Sequence, residues 1–150
     1  MLRRTIRERN ILFLDQDNSA SGQIAEAIAK HMAPPQTRIF SASMTPGKIP
    51  PQVLSVLEEI GVKVSAPKAN SLSEVPLDEI DLVITLSPET KEQRPPLSPK
   101  AKLVHWVIPD AKTVSSGEAA GTSTAYRYLR DEIDKRVAAL FLDYWRNGTA

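Results

Sequence analysis

The chain contains no cysteine. Disulfides, thiolate metal sites and cysteine nucleophiles are therefore excluded. It has only two histidines, His31 and His105, too few and too scattered for a histidine-based metal site, so no metal and no cofactor is expected. Aromatic residues make up 5% of the sequence and the formal net charge is +1. With no basic stripe and no interleaved aromatics, nucleic acid is not an expected partner. No apolar run approaches the roughly 20 residues that cross a bilayer. The basic start, Met1 to Arg9, has no apolar stretch after it. It reads as a solvated arm, neither a signal peptide nor a membrane span, which leaves the cytoplasm as the default compartment.

The 150 residues, 41% hydrophobic and 25% charged, suit one domain with its own core, here residues 10–147. Asn10-Ile-Leu-Phe-Leu14 is a continuous apolar run of the kind buried in a parallel sheet. Asp15 to Gly22 is small, polar and turn-forming. A helical pattern starts at Gln23, with Ile24, Ala25, Ile28, Ala29 and Met32 on one face, and Pro34-Pro35 ends it. Thr37 to Ala42 is a second strand. Pro50 and Pro51 open a helix whose stripe is Val53, Leu54, Val56, Leu57 and Ile60, with Gly61 as C-cap. Val62-Lys63-Val64 is short and extended. Asp81 to Leu86 and Lys102 to Ile108 are further strands, separated by a proline-rich loop from Pro88 to Pro99. Ser115 to Thr124 reads as a loop. A long terminal helix carries Tyr126, Leu129, Ile133, Val137, Leu140 and Tyr144 at helical spacing, and Gly148 lies beyond its end. Alternating strands and helices predict a single α/β domain with a central, mostly parallel sheet flanked by helices. Ligands in such folds bind at the carboxyl ends of the strands. The loops after Leu14 and after Ile108 reach that edge.

The first of these loops, Asp15-Gln16-Asp17-Asn18-Ser19-Ala20-Ser21-Gly22, joins a buried strand to an amphipathic helix. Small residues let successive backbone N–H groups point inward, and the helix start adds partial positive charge. The pattern favours an anion. The competing reading is that Asn18 or Ser19 simply caps the helix.

The order Ile11-Leu-Phe-Leu14, Asn18-Ser-Ala20 and Gln23-Ile-Ala-Glu-Ala27 resembles the opening of low-molecular-weight protein tyrosine phosphatases. It resembles still more the arsenate reductases of the same fold. Phe40-Ser-Ala42 with Pro46-Gly47, Pro51 to Val64, Asp81 to Leu86, His105-Trp106 with Pro109-Asp110, and Arg130-Asp-Glu-Ile133 extend the likeness over roughly residues 10 to 145. The resemblance implies a Rossmann-like three-layer fold. It also implies a phosphate loop running from a nucleophilic cysteine through five residues to an arginine. Asp15 stands at the cysteine position, Ser21 at the arginine position, and Gly22 where a serine supports the thiolate. The two further cysteines of the reductases align with Ser87 and Arg94. The family's general acid falls on Asp110, for which a turn or capping carboxylate is the other reading.

Aspartate and serine cannot replace the oxidation chemistry of sulfur. A general acid has no evident task without its nucleophile. A carboxylate at the base of the loop would repel a bound dianion by about 4 kcal/mol at about 4 Å and an effective dielectric of 20. Phosphate and arsenate are accordingly expected to bind weakly or not at all, with Asp15 bonding to its own loop and filling the cup from within. The leading expectation is a catalytically inactive pseudophosphatase-like domain serving as a binding or regulatory module. Its partner would be a protein, with a homodimer as one form, docked near the cup or on the terminal helix near Phe141, Tyr144 and Trp145. The first rival is an Mg²⁺-dependent phosphatase with Asp15 as nucleophile and Asp17 as acid/base, on the likeness of Ile-Leu-Phe-Leu-Asp15-Gln-Asp17 to haloacid-dehalogenase-type enzymes. A second is likeness to the phosphatases and reductases in fold only. Ser87 is a weaker candidate nucleophile, since no histidine is placed to activate it.

Overall fold

A computed structural model describes residues 9–92, 95–108 and 123–147. The basic arm up to residue 8, Arg94, the segment with Asp110, and the side chains of Tyr144 and Trp145 lie outside the described residues. Four parallel strands form one sheet in the order β2-β1-β3-β4. They are β1 (Arg9–Leu14), β2 (Thr37–Ala42), β3 (Leu82–Thr85) and β4 (Lys102–His105). Strand β1 lies between β2 and β3, with Ile11 opposite both Ile39 and Leu82. A central parallel strand is covered on both faces, which is why Ile11 to Leu14 are all apolar and at most 1% exposed.

The two faces pack differently. Ile11 and Phe13 turn to the side covered by helices α1 (Ser21–Met32), α2 (Pro51–Glu58) and α4 (Ser123–Asn147). There they meet Ile24, Ile28, Leu129 and Ile133, and Phe13 packs against Trp106 with ring centroids 5.7 Å apart. Leu12 and Leu14 turn the other way, toward Ile80 and Val83 and the 3-10 turns Leu72–Glu74 and Leu77–Glu79. Each large apolar side chain so buried contributes about 1.5–3 kcal/mol against exposure. The stripe of α4 is Tyr126, Leu129, Ile133, Val137 and Phe141, all at most 3% exposed.

Several boundaries shift from the expected ones. Helix α1 starts at Ser21, two residues early. The proline-rich segment opens with a short helix α3, Pro88–Glu92. Proline suits a first helical turn, where its missing N–H is not needed. Strand β4 stops at His105, and Val62 to Val64, expected to be extended, joins no strand. Ile60 leaves the α2 stripe and is 39% exposed, because the helix has already ended. Gly61 does close α2. Its φ of 79° permits two reverse bonds, Gly61 N–H to Glu58 O at 3.0 Å and Val62 N–H to Leu57 O at 3.0 Å.

Beyond the end of α2, Glu59 ties that helix to α4. Its carboxylate accepts from Arg127 at 2.7 Å and from Arg130 at 2.7 Å, and Arg130 also donates to Val56 O at 2.9 Å. The hydrogen bonds from Arg127 and then Arg130 hold the Glu59 carboxyl down from 4.5 to about 2. A carboxyl depressed on folding stabilises the fold above its unfolded value, and that support is lost as pH falls through the folded value. Glu59→Gln should therefore lower stability at neutral pH. The gap between variant and parent should close between pH 4.5 and about 2. Chemical denaturation across that range checks it, and a pH-independent gap would assign the effect to something other than charge.

Candidate functional site

The sheet delivers Asp15 to its carboxyl edge. The Asp15 N–H donates to Ala42 O at 3.2 Å, one step beyond the end of β1. The side chain, 7% exposed, folds back into its own loop. Oδ1 accepts the Gln16 N–H at 2.8 Å and Oδ2 accepts the Gly22 N–H at 3.0 Å. Gly22 is the second residue of α1, so the carboxylate lies over the helix start, where the backbone offers donors and positive potential.

This overturns the capping alternative for Asn18 and Ser19. The N-cap is Ala20, with no side-chain capping bond. Ser19 instead donates to Asp17 Oδ1 through both N–H (3.1 Å) and Oγ (2.6 Å). Asn18 is fully buried and left-handed, with φ 55°, a conformation asparagine tolerates better than most residues. Its Oδ1 accepts from Gln23 Nε2 at 2.9 Å and from the Asn70 N–H at 2.7 Å. Gln23 Nε2 also reaches Lys68 O at 2.8 Å. Asn18 thus anchors the loop to the segment around residues 68–70.

A second loop is stitched over the first. Gly47 N–H donates to Asp17 O at 2.7 Å, and Thr45 Oγ1 donates to Gln16 O at 3.2 Å. Close approach favours glycine at two positions, tightly at Gly47 and severely at Gly22. A Cβ on Gly47 would lie 3.1 Å from Asp17 Oδ2. A Cβ on Gly22 would lie 2.6 Å from Asn18 Nδ2 and 3.2 Å from Asp15 Cβ. That Asn18 Nδ2 is buried and has no hydrogen-bond partner among the described residues.

Ser87 follows β3 and is brought beside the loop by the Leu86 N–H bond to Leu14 O at 2.8 Å. Its hydroxyl lies 2.9 Å from Thr90 Oγ1, which in turn donates to Leu14 O at 3.4 Å. His105 uses Nδ1 on Thr85 Oγ1 at 2.7 Å. Among the described residues no hydrogen bond joins Ser87 to a histidine. Nor do the described residues contain a group of three His, Cys, Asp or Glu able to hold a metal. Both Asp15 oxygens and Asp17 Oδ1 accept backbone N–H groups of their own loop.

Strand order β2-β1-β3-β4 is that of a doubly wound α/β fold, with a short anion-type loop between β1 and α1 and here a carboxylate seated on the loop's amides. Residues 10–147 match the family described as low molecular weight phosphotyrosine protein phosphatase, and the chain belongs to that family. Among its relatives, an arsenate reductase of Halalkalibacterium halodurans is 29% identical over 128 residues, covering 85% of this chain and 91% of the relative. The crystal structure of an arsenate reductase from Archaeoglobus fulgidus is similar with a TM-score of 0.68 and 28% identity, over 87% of this chain and 97% of that one. A thioredoxin-dependent arsenate reductase of Corynebacterium glutamicum shares the fold with a TM-score of 0.73 and 24% identity. The match covers 95% of this chain and 64% of that one, so the chain spans less than two thirds of the larger protein.

Gln23, Thr45, Gly47 and Asn70 bond to the loop and were not among its expected site residues, although Gln23 and Gly47 fall in the family-like segments. Gln23 carried a signal: it is a polar residue at the start of an otherwise apolar helix face, where burial requires partners. The other three act mainly through backbone groups or from a separate loop, and only the fold brings them in.

Proposed function

We propose that this chain is a catalytically inactive, pseudophosphatase-like member of its family that serves as a binding or regulatory module. The observation that carries this reading is the Asp15 carboxylate, which accepts the Gln16 and Gly22 N–H groups at 2.8 and 3.0 Å. On this reading an incoming oxyanion would compete for those same donors. The carboxylate both occupies them and opposes a second negative charge, by about 4 kcal/mol at about 4 Å. Ser21, at the position of the family's arginine, offers no bidentate clamp in compensation. Arsenate reduction, the activity named for the relatives, requires thiols that are oxidised in turn, and this sequence has none.

The proposal predicts no turnover of an aryl phosphate above the buffer rate. It predicts no arsenate-dependent consumption of a thiol reductant either. Both hold with and without Mg²⁺. Steady-state assays at high enzyme concentration check this directly. Mg²⁺-dependent hydrolysis that disappears in Asp15→Asn would instead establish the aspartyl-nucleophile reading. The partner of the module is proposed to be a protein. Among the described residues no helix is long and apolar enough to cross a membrane.

A further inference from the structure

The segment that follows β2 is held firmly at its ends and lightly between them. At one end Ser43 bridges to Ser71, its N–H donating to Asn70 O at 3.0 Å and its carbonyl accepting the Leu72 N–H at 3.0 Å. At the other end Ile49 is partly buried against the main core. Met44, Thr45, Pro46 and Lys48 are exposed. Across this span two hydrogen bonds among the described residues reach the cup loop, and they fall on consecutive residues. Thr45 Oγ1 donates to Gln16 O at 3.2 Å, and the Gly47 N–H donates to Asp17 O at 2.7 Å.

Those two bonds orient peptide planes. In a planar trans peptide the C=O and the next N–H point opposite ways. With the Gln16 and Asp17 carbonyls drawn toward residues 45 and 47, the N–H groups of Asp17 and Asn18 point away from them. Gln16 is fixed at both of its main-chain groups, the carbonyl by Thr45 and the N–H by Asp15 Oδ1 at 2.8 Å. The other Asp15 oxygen holds the Gly22 N–H at 3.0 Å, so one carboxylate ties Gln16 to the start of α1. Gly47 also lies tight on Asp17, since a Cβ there would come within 3.1 Å of Oδ2. Lifting residues 44–49 would free the Gln16 and Asp17 planes to rotate, and rotation at Gln16 takes its N–H off Asp15.

We propose that residues 44–49 are a strap that keeps the Asp15 carboxylate seated, so that displacing this exposed strap opens the cup. A contact at the surface is thereby converted into a shift of the loop between closed and open forms. The inference rests on the reading that Asp15 fills the cup.

Amide hydrogen exchange of the ¹⁵N-labelled full-length protein tests it, because exchange reports local opening. Thr45→Val removes one donor and keeps the branched shape. Gly47→Ala presses a Cβ onto Asp17 and disturbs the other bond. Each should speed exchange at the Gln16 and Gly22 amides roughly threefold to tenfold, the scale of one lost hydrogen bond. Met44 is 67% exposed, and Met44→Ala should leave both rates unchanged. Unchanged rates in the two strap variants would overturn the proposal. So would equal acceleration at the Leu12 and Ile84 amides of the sheet, which marks a general loss of stability. Asp15→Ala separates the strap from the reading beneath it. If Gln16 and Gly22 stay as protected in that variant as in the parent, the carboxylate does not hold them and both ideas fall. If they lose protection there but not in the strap variants, the strap alone falls.

Discussion

Asp15→Ala is expected to destabilise the protein in phosphate-free buffer and to recover stability as phosphate is added. The carboxylate makes two charge-assisted bonds to loop amides, and the one to Gly22 is buried. Removing a charged partner from a buried donor costs about 1.5–3 kcal/mol. The Gln16 end is exposed and can turn to water, so its loss adds little. For a chain of this size that amounts to a fall in Tm of about 5–10 °C. The vacated donors then face the helix start with no anion, which is the situation that favours a phosphate. Phosphate at 100 times its Kd would return about 2.7 kcal/mol. Recovery should stay incomplete at accessible concentrations, because Ser21 provides no clamp. Thermal melts of parent and variant over a phosphate series measure both halves. A parent that responds to phosphate as strongly as the variant would show that Asp15 does not occupy the anion position.

The second large effect falls on Gly22. A Cβ there would sit 2.6 Å from Asn18 Nδ2 and 3.2 Å from Asp15 Cβ, inside a loop already bonded on several sides. Gly22→Ala should cost about 1–3 kcal/mol through overpacking. Gly22→Ser, which restores the family's residue, should also destabilise, because the Cβ is common to both. The severe clash is with the Asn18 amide, so the cost should fall when Asn18 is already Gly, a non-additivity above about 0.5 kcal/mol. Urea titration of the two single variants and the double variant gives the coupling. Full additivity would place the strain elsewhere. The glycine is thus fitted to the Asn18 side chain, and serine at position 22 alone does not restore the family's loop.

The fold was legible where burial dictates residue type. Ile11 to Leu14 form a central parallel strand because both faces are covered, and an uninterrupted apolar run records that. Gly61 was legible because only a left-handed residue closes α2 with both reverse bonds. The α4 stripe held from Tyr126 to Val137, with Phe141 buried next on the face and Leu140 only partly so. Val62-Lys63-Val64 misled, since strand propensity says nothing about whether a neighbour is within pairing distance.

In the site, the residue types at positions 15, 21 and 22 already indicated a remodelled loop. Where the Asp15 carboxylate points was an expectation only, and the two amide bonds give it a geometry. The helix start was placed at Gln23, two residues late, because the apolar stripe begins only there, and the capping alternative fails because both cap candidates are engaged elsewhere. Asn18 is drawn off to Gln23 and Asn70, and Ser19 to Asp17. Asn70 lies 52 residues away, a distance no local pattern bridges. Asp110, on which the family's acid would fall, lies outside the described residues.

Calorimetric titration of the unmodified protein with inorganic phosphate at neutral pH tests the central claim most directly. A cup closed by its own carboxylate predicts no saturable heat up to about 10 mM phosphate, given a like-charge cost of about 4 kcal/mol. One-to-one binding in the micromolar range would contradict it, and would show that the loop still presents its amides to an external anion.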